Sequence, residues 1–156
     1  MLPDLFKSGY RNAFITVGCV GNNNVRREIY KNGISIGYSF PSIIDPSATI
    51  SQNSIIEEGA FVGKRAVINA ECLIEKLAII NTSAVIEHGC HIGEFSHISV
   101  GTVICGDCTI GSDTFIGANA TVIHGINIGS NSIIGAGAIV IADVPPNTTI
   151  TGVWKG

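Results

Sequence analysis

The side chains best suited to chemistry in this sequence are four histidines: His88, His91, His97 and His124, three of them within ten residues. An imidazole titrates near neutrality. Its neutral form can take a proton from an attacking amine or hydroxyl, or bind a metal ion. Cys105 and Cys108 form a C-x-x-C pair, a spacing also used for metal ligation and redox exchange. Which chemistry is open depends on which side chains meet, and that is decided by the elements that carry them.

Those elements are legible as a repeat. From Ile44, steps of six reach Ile50, Ile56, Val62, Ile68, Ile74, Ile80, Ile86, Ile92, Ile98, Ile104, Ile110, Ile116, Val122, Ile128, Ile134 and Val140. All 17 positions are Ile or Val, with no insertion. Four residues after each comes a second constrained site, from Ala48 to Val144, small at 15 of the 17 positions. Glycine often follows the large residue, as at Gly63, Gly93, Gly111, Gly117, Gly129 and Gly135. Three hexads predict one triangular coil of short flat strands, and the narrow prism explains the small residue, because facing walls leave no room for three large side chains per layer. Coils stacked at the ordinary strand spacing of ~4.8 Å give a single-stranded left-handed parallel β-helix of nearly six coils.

This register sorts the candidate residues. Cys72, Cys90 and Cys108 lie at the small inward site in successive coils, and are expected to stack as core filler. Cys105 holds a different position from Cys108, so the C-x-x-C pair is not expected to converge on a metal. None of the histidines takes an inward site. His88 is third in its hexad, and one coil higher the same position is Gly106. Stacking therefore places the Gly106 N–H beside the His88 imidazole. A neutral base next to an open backbone donor suits acyl transfer: the histidine takes the proton of the attacking group and the N–H stabilises the oxyanion. No Ser or Cys need be acylated, since direct attack on a bound thioester suffices.

Outside the prism, residues 13–18 read as a buried strand. Asn22, Asn23 and Asn24 offer N-caps to a helix from about Val25 to Asn32, stopped by Gly33, and Ile34 to Phe40 reads as a second strand. The domain organisation expected is thus a βαβ-like remnant of an α/β subdomain over residues 1–43, followed by the β-helix over 44–156. At the far end Pro145-Pro146 is expected to close the last coil, and Thr148 to Val153 to cap its open edge.

The bulk properties narrow the function. The 156 residues suit one continuous core, and a formal net charge of −3 with 13% charged residues gives no reason to expect nucleic acid. No apolar run approaches the ~20 residues of a membrane span, and the N-terminus lacks signal-peptide features. The expectation is a soluble, cytoplasmic protein with reduced thiols, its five cysteines being an odd number. The N-x-S/T triplets at Asn81, Asn119 and Asn147 read as chance.

The stretch INTSAVIEHGCHIGEFSHISVG, from Ile80 to Gly101, closely resembles the bacterial sugar acyltransferases that include bacillosamine N-acetyltransferase and sialic acid O-acetyltransferase. So do Phe14-Ile15-Thr16-Val17-Gly18, Arg26-Arg27-Glu28-Ile29-Tyr30 and Ile44-Asp45-Pro46-Ser47-Ala48, so that about residues 12 to 153 are covered. The resemblance implies a homotrimer that binds acetyl-CoA between adjacent prisms, with no metal, and transfers the acetyl group to an amino or hydroxyl group of a nucleotide-linked sugar. It makes His88 the catalytic base and His97 the histidine near the acetyl group. Gly106 becomes the amide facing the thioester carbonyl, and Ala118 and Ala136 line the pantetheine groove. Three departures stand out. The acidic residue that usually follows the catalytic histidine is Gly89 here. Of the family's N-terminal Rossmann-like subdomain only the last strand and helix are expected. The usual closing Gly-Val-Pro-Ala is Gly152-Val153-Trp154-Lys155.

Two other functions compete. The γ-class carbonic anhydrases share the prism and hold zinc on three histidines; His88 and His124 resemble two of them, but the third place is Gly129. A non-catalytic trimeric scaffold would also keep this repeat. Ice binding is disfavoured because the exposed positions show no regular Thr ladder.

Overall fold

A computed structural model describes residues 2–156. Seventeen two-residue strands follow one another at six-residue steps, from β1 (Ile43–Ile44) to β17 (Ile139–Val140), and each ends on the Ile or Val of the repeat. They form three parallel sheets in which each strand pairs with the one three places on, so a residue lies beside its equivalent one coil away, as His97 beside Phe115 and Val85 beside Val103. The expected three-sided β-helix is the architecture found. A first face runs from β1 through β10 (His97–Ile98). The second carries β8 (Val85–Ile86) and β11 (Val103–Ile104), and the third carries β9 (His91–Ile92).

The corners explain the hexad. The fourth residue of each, from Gly59 to Gly137, has a positive φ, and the N–H after it returns to the carbonyl three residues back, as from Ala66 to Gly63. Coils approach so closely at the corners that a Cβ on Gly111 would stand 2.4 Å from the Ser130 nitrogen. Inside, one large aliphatic and one small residue fill each wall. Ile80, Ile86, Ile92, Ile98 and Ile104 are fully buried, each worth ~2–3 kcal/mol of burial. Cys72, Cys90 and Cys108 are buried free thiols, and each donates to a carbonyl of the following corner, at 3.0 to 3.2 Å. They are the core filler expected, and hydrogen bonding with the Cys108 and Cys72 thiols, together with burial, pushes Cys90 above the ordinary thiol range.

The flanks correct the sequence reading in five places. The helix, α2 (Asn24–Ile36), runs past Gly33 and stops at Gly37, whose left-handed φ of 106° lets its N–H reach the carbonyls of Gly33 and Ile34. Gly33 serves packing instead: a Cβ there would lie 2.4 Å from the Phe40 ring. The strand expected at Ile34–Phe40 is therefore helix up to Ile36, and beyond it only Ser39 makes a bridge. Residues 13–18 form no regular strand, because the parallel pairing is a single bridge between Asn12 and Ser39. A further short helix precedes them, α1 (Leu2–Lys7), and it was not foreseen. Of the asparagines, only Asn22 caps, its Oδ1 accepting the Asn24 N–H at 2.9 Å. Asn23 makes no capping bond and spends its side chain on the Phe95 carbonyl and on Arg26.

At the other end, β18 (Thr149–Ile150) and β19 (Val153–Trp154) continue the first and second sheets as parallel strands. The coil is shortened, so that Ile150 lies over Ile134 and Trp154 over Val140. Trp154 packs on the core, and its indole N–H donates to the Asp143 carbonyl at 3.1 Å.

Candidate active site

His88 and Gly106 meet as the register requires. His88 is third in the corner between the second and third faces, half-exposed, and its ring leans over Gly106 one coil above. A Cβ on Gly106 would stand 2.5 Å from Cε1 and 2.7 Å from Nε2 of that ring, so only glycine admits the posture. The Gly106 N–H has no acceptor among the described residues. Gly106 itself is buried beneath the imidazole, so the open approach expected of it requires the ring to lift. His124, two coils above His88, faces it across this glycine with the ring centroids 6.3 Å apart. Asp107 stands between them, its carboxylate 3.7 Å from His88 Nδ1 and 3.6 Å from His124 Nε2. Sequence reasoning missed Asp107; the signal was its place one coil above Gly89, at the same position of the hexad.

His97 lies elsewhere. It is on the first face, on the far side of the prism from the His88 corner, and the N-terminal segment covers it. Its Nδ1 is 3.0 Å from the Cys19 carbonyl oxygen, and its Nε2 is 3.3 Å from Asn81 Nδ2. The pattern is satisfied when Nδ1–H donates to the carbonyl and Nε2 accepts from the amide. Burial pushes its pKa below the ordinary histidine range, which favours that neutral form. The ring also borders a largely apolar cavity of about 320 Å³ with Phe14, Val17, Phe61, Ile79 and Asn81. Asn81 too was missed; it lies across the corner of the neighbouring coil from His97.

The N-terminal segment is held by a charged clamp. Arg27 on α2 reaches Asp113 at 2.6 Å and Glu94 at 2.9 Å, and Lys76 reaches Glu94 at 3.1 Å. Ala118 and Ala136 stack one coil apart on the corner between the first and second faces, so within one chain they do not join His88. His91 pairs with Glu75 at 2.8 Å on the third face. Cys105 and Cys108 do not converge: the Cys108 thiol points inward to the Ile123 carbonyl. Among the described residues, no group of three or more His, Cys, Asp or Glu is placed to hold a metal ion.

Known proteins share this fold. Residues 107–142 match the family described as bacterial transferase hexapeptide (six repeats). No curated protein matches. Among solved structures, a histidine-to-asparagine variant of perosamine N-acetyltransferase from Caulobacter crescentus, in complex with CoA and GDP-perosamine, superposes with a TM-score of 0.91. It is 34% identical, over 95% of this chain and 69% of that one. The chain belongs to the hexapeptide-repeat sugar acyltransferases. A second acyltransferase of this family, the acetyltransferase domain of PglB from Neisseria gonorrhoeae in complex with acetyl coenzyme A, is 33% identical. It has a TM-score of 0.88 over 96% of this chain and 73% of that one. Both alignments extend beyond the prism into the N-terminal segment, since 95% coverage reaches further than residues 44–156. No described helix of this acyltransferase is long and apolar enough to cross a membrane.

Proposed function

We propose that the protein moves the acetyl group of acetyl-CoA to an amino or hydroxyl group of a nucleotide-linked sugar, with His88 as general base. That it is an acetyl-CoA-dependent sugar acetyltransferase follows from its family and from the CoA, acetyl-CoA and GDP-perosamine held by its structural relatives. The observation that carries the finer reading is the exposed His88 ring seated over Gly106, whose N–H has no acceptor.

In this reading His88 Nε2 takes the proton from the acceptor nitrogen or oxygen as that atom attacks the thioester carbon. The Gly106 N–H, uncovered as the ring lifts, donates to the oxyanion of the tetrahedral intermediate. Collapse breaks the C–S bond, and the imidazolium returns its proton to the departing sulfur. No acyl-enzyme forms. His97, pinned by Cys19 and Asn81, offers a rigid wall for the acetyl group, and Ala118 and Ala136 line the pantetheine groove.

The position of these groups supports a homotrimer. His88 and Gly106 occupy one corner, whereas His97 lies on the opposite face and Ala118 with Ala136 on a different corner. A threefold axis that sets the His88 corner of one chain against the first face of the next would complete the site. The second face lies between the two corners and is not covered by the N-terminal segment. Its outward row includes Val67, Val85, Val103, Thr121 and Ile139, a mostly apolar row suited to burial between copies.

The test is thiol release from acetyl-CoA with UDP-, GDP- and CMP-linked amino sugars, for wild type and His88→Ala. Acceptor-dependent release should fall ~10²–10⁴-fold in the variant, the usual worth of a positioned base. Undiminished release would overturn the assignment.

A further inference from the structure

Gly89, the residue after the base, has no side chain to orient the imidazole. Asp107 takes that space from one coil above. A Cβ on Gly89 would stand 2.2 Å from Asp107 Oδ1, so a side chain at 89 and the carboxylate of 107 exclude one another. Both are in the left-handed region, at φ 67° and 57°. The Asp107 N–H donates to the His88 carbonyl at 2.8 Å, which ties the two coils at this point. From that anchor the carboxylate folds back over Gly89 towards His88 Nδ1, with Oδ1 at 3.7 Å. Its other oxygen lies 3.6 Å from His124 Nε2.

From this juxtaposition we infer that Asp107, on the coil stacked above the base, is the positioning residue for His88. The inference rests on the reading of His88 as the base. At 3.7 Å the contact is too long for a hydrogen bond. Both side chains are more than half exposed, and a small rotation of either closes the gap. Nδ1–H then donates to Oδ1. That fixes the tautomer with the lone pair on Nε2, the nitrogen over Gly106, and it steadies the imidazolium when the proton arrives. His124 brackets the carboxylate from the far side and keeps Oδ1 turned towards Nδ1. Gly89 is the complement of this arrangement, because it gives the carboxylate room.

The fold-back posture alone proves nothing about chemistry, since Asn119 lies over Gly101 in the same way at another corner, 2.3 Å from where a Cβ would be. That precedent supplies the clean variant. Asp107→Asn keeps the left-handed turn, the volume and the posture, and removes only the charge. The experiment measures kcat and KM for acetyl-CoA and acceptor, and records long-range ¹H–¹⁵N spectra of the His88 ring, in wild type and Asp107→Asn with His88→Ala as reference. The expected result is a ~10–10²-fold lower kcat with KM for both substrates unchanged, from loss of an orienting partner of a general base. His88 should shift at the same time from the Nδ1–H tautomer towards a mixture. Wild-type kcat in Asp107→Asn, or a lower kcat with an unaltered tautomer, overturns the inference while loss of turnover in His88→Ala keeps the base. Retained turnover in His88→Ala overturns the base and this role together.

Discussion

At the scale of single residues, the two histidines that matter differ in what surrounds them, and the difference is measurable. His88 stands half in solvent. His97 is largely desolvated, and its pKa is lowered chiefly by burial, with Arg26 nearby adding to the effect and the Cys19 carbonyl opposing it. The sign for stability follows. In the unfolded chain a histidine takes up its proton near pH 6.5, while in the fold His97 takes it up only at lower pH. The unfolded state therefore binds more protons in that window, and stability is lost as pH falls through it. Glu94 also has a lowered pKa, since Arg27 and Lys76 outweigh its burial, but its window opens only below the ordinary glutamate value. Between pH 7 and pH 5 the urea midpoint should thus fall in wild type and fall less in His97→Gln. Equal slopes would show that His97 is not held neutral by the fold.

At the scale of elements, the prism and its N-terminal attachment are stabilised in different ways. The prism is a stack in which each coil touches only its neighbours, so its repeat was readable from spacing alone. The register that buries Ile98 also sets Gly106 over His88, which is why that part of the site was legible in the sequence. Asp107 was not, because no motif links it to His88 along the chain; it stands one coil above Gly89. The end of α2 was misplaced for another reason. Gly33 has the look of a helix stop, but its cause is the Phe40 ring, a contact that spacing does not reveal. What fastens α2 is Arg26, buried with its guanidinium donating to the carbonyls of Leu77 at 2.6 Å and Phe95 at 3.2 Å. Leu77 and Phe95 are bulky residues at positive φ, a conformation they keep because the helix covers them. Arg26→Ala would leave the Leu77 carbonyl buried without this donor and the Phe95 carbonyl with Asn23 alone, and cost ~2–4 kcal/mol. Hydrogen exchange should localise the loss to residues 2–40, with the amides of Ile80 to Ile134 still protected. Uniform loss of protection would mean that the segment and the prism unfold as one unit.

At the scale of the whole molecule, one chain holds the groups named in the proposed mechanism but does not bring them together. The prism separates the His88 corner from the His97 face by its own width, and no rotation of side chains spans that distance. The proposed cyclic assembly would resolve this, because a head-to-tail interface repeated three times juxtaposes different surfaces of neighbouring copies at every contact. The consequence can be tested by mixing defects. Chains carrying His88→Ala and chains carrying His97→Ala should each form poorly active trimers of about three times 16.3 kDa. When the two are co-expressed in equal amounts, a contact with His88 from one chain and His97 from the next is intact in about a quarter of random pairings. Acetyl-CoA thiol release should then recover to about a quarter of wild type. Recovery can occur only if the two histidines of one working site come from different chains. Mixed trimers no more active than their parents would place His88 and His97 in separate roles, and the groove between prisms would lose its claim to be the active site.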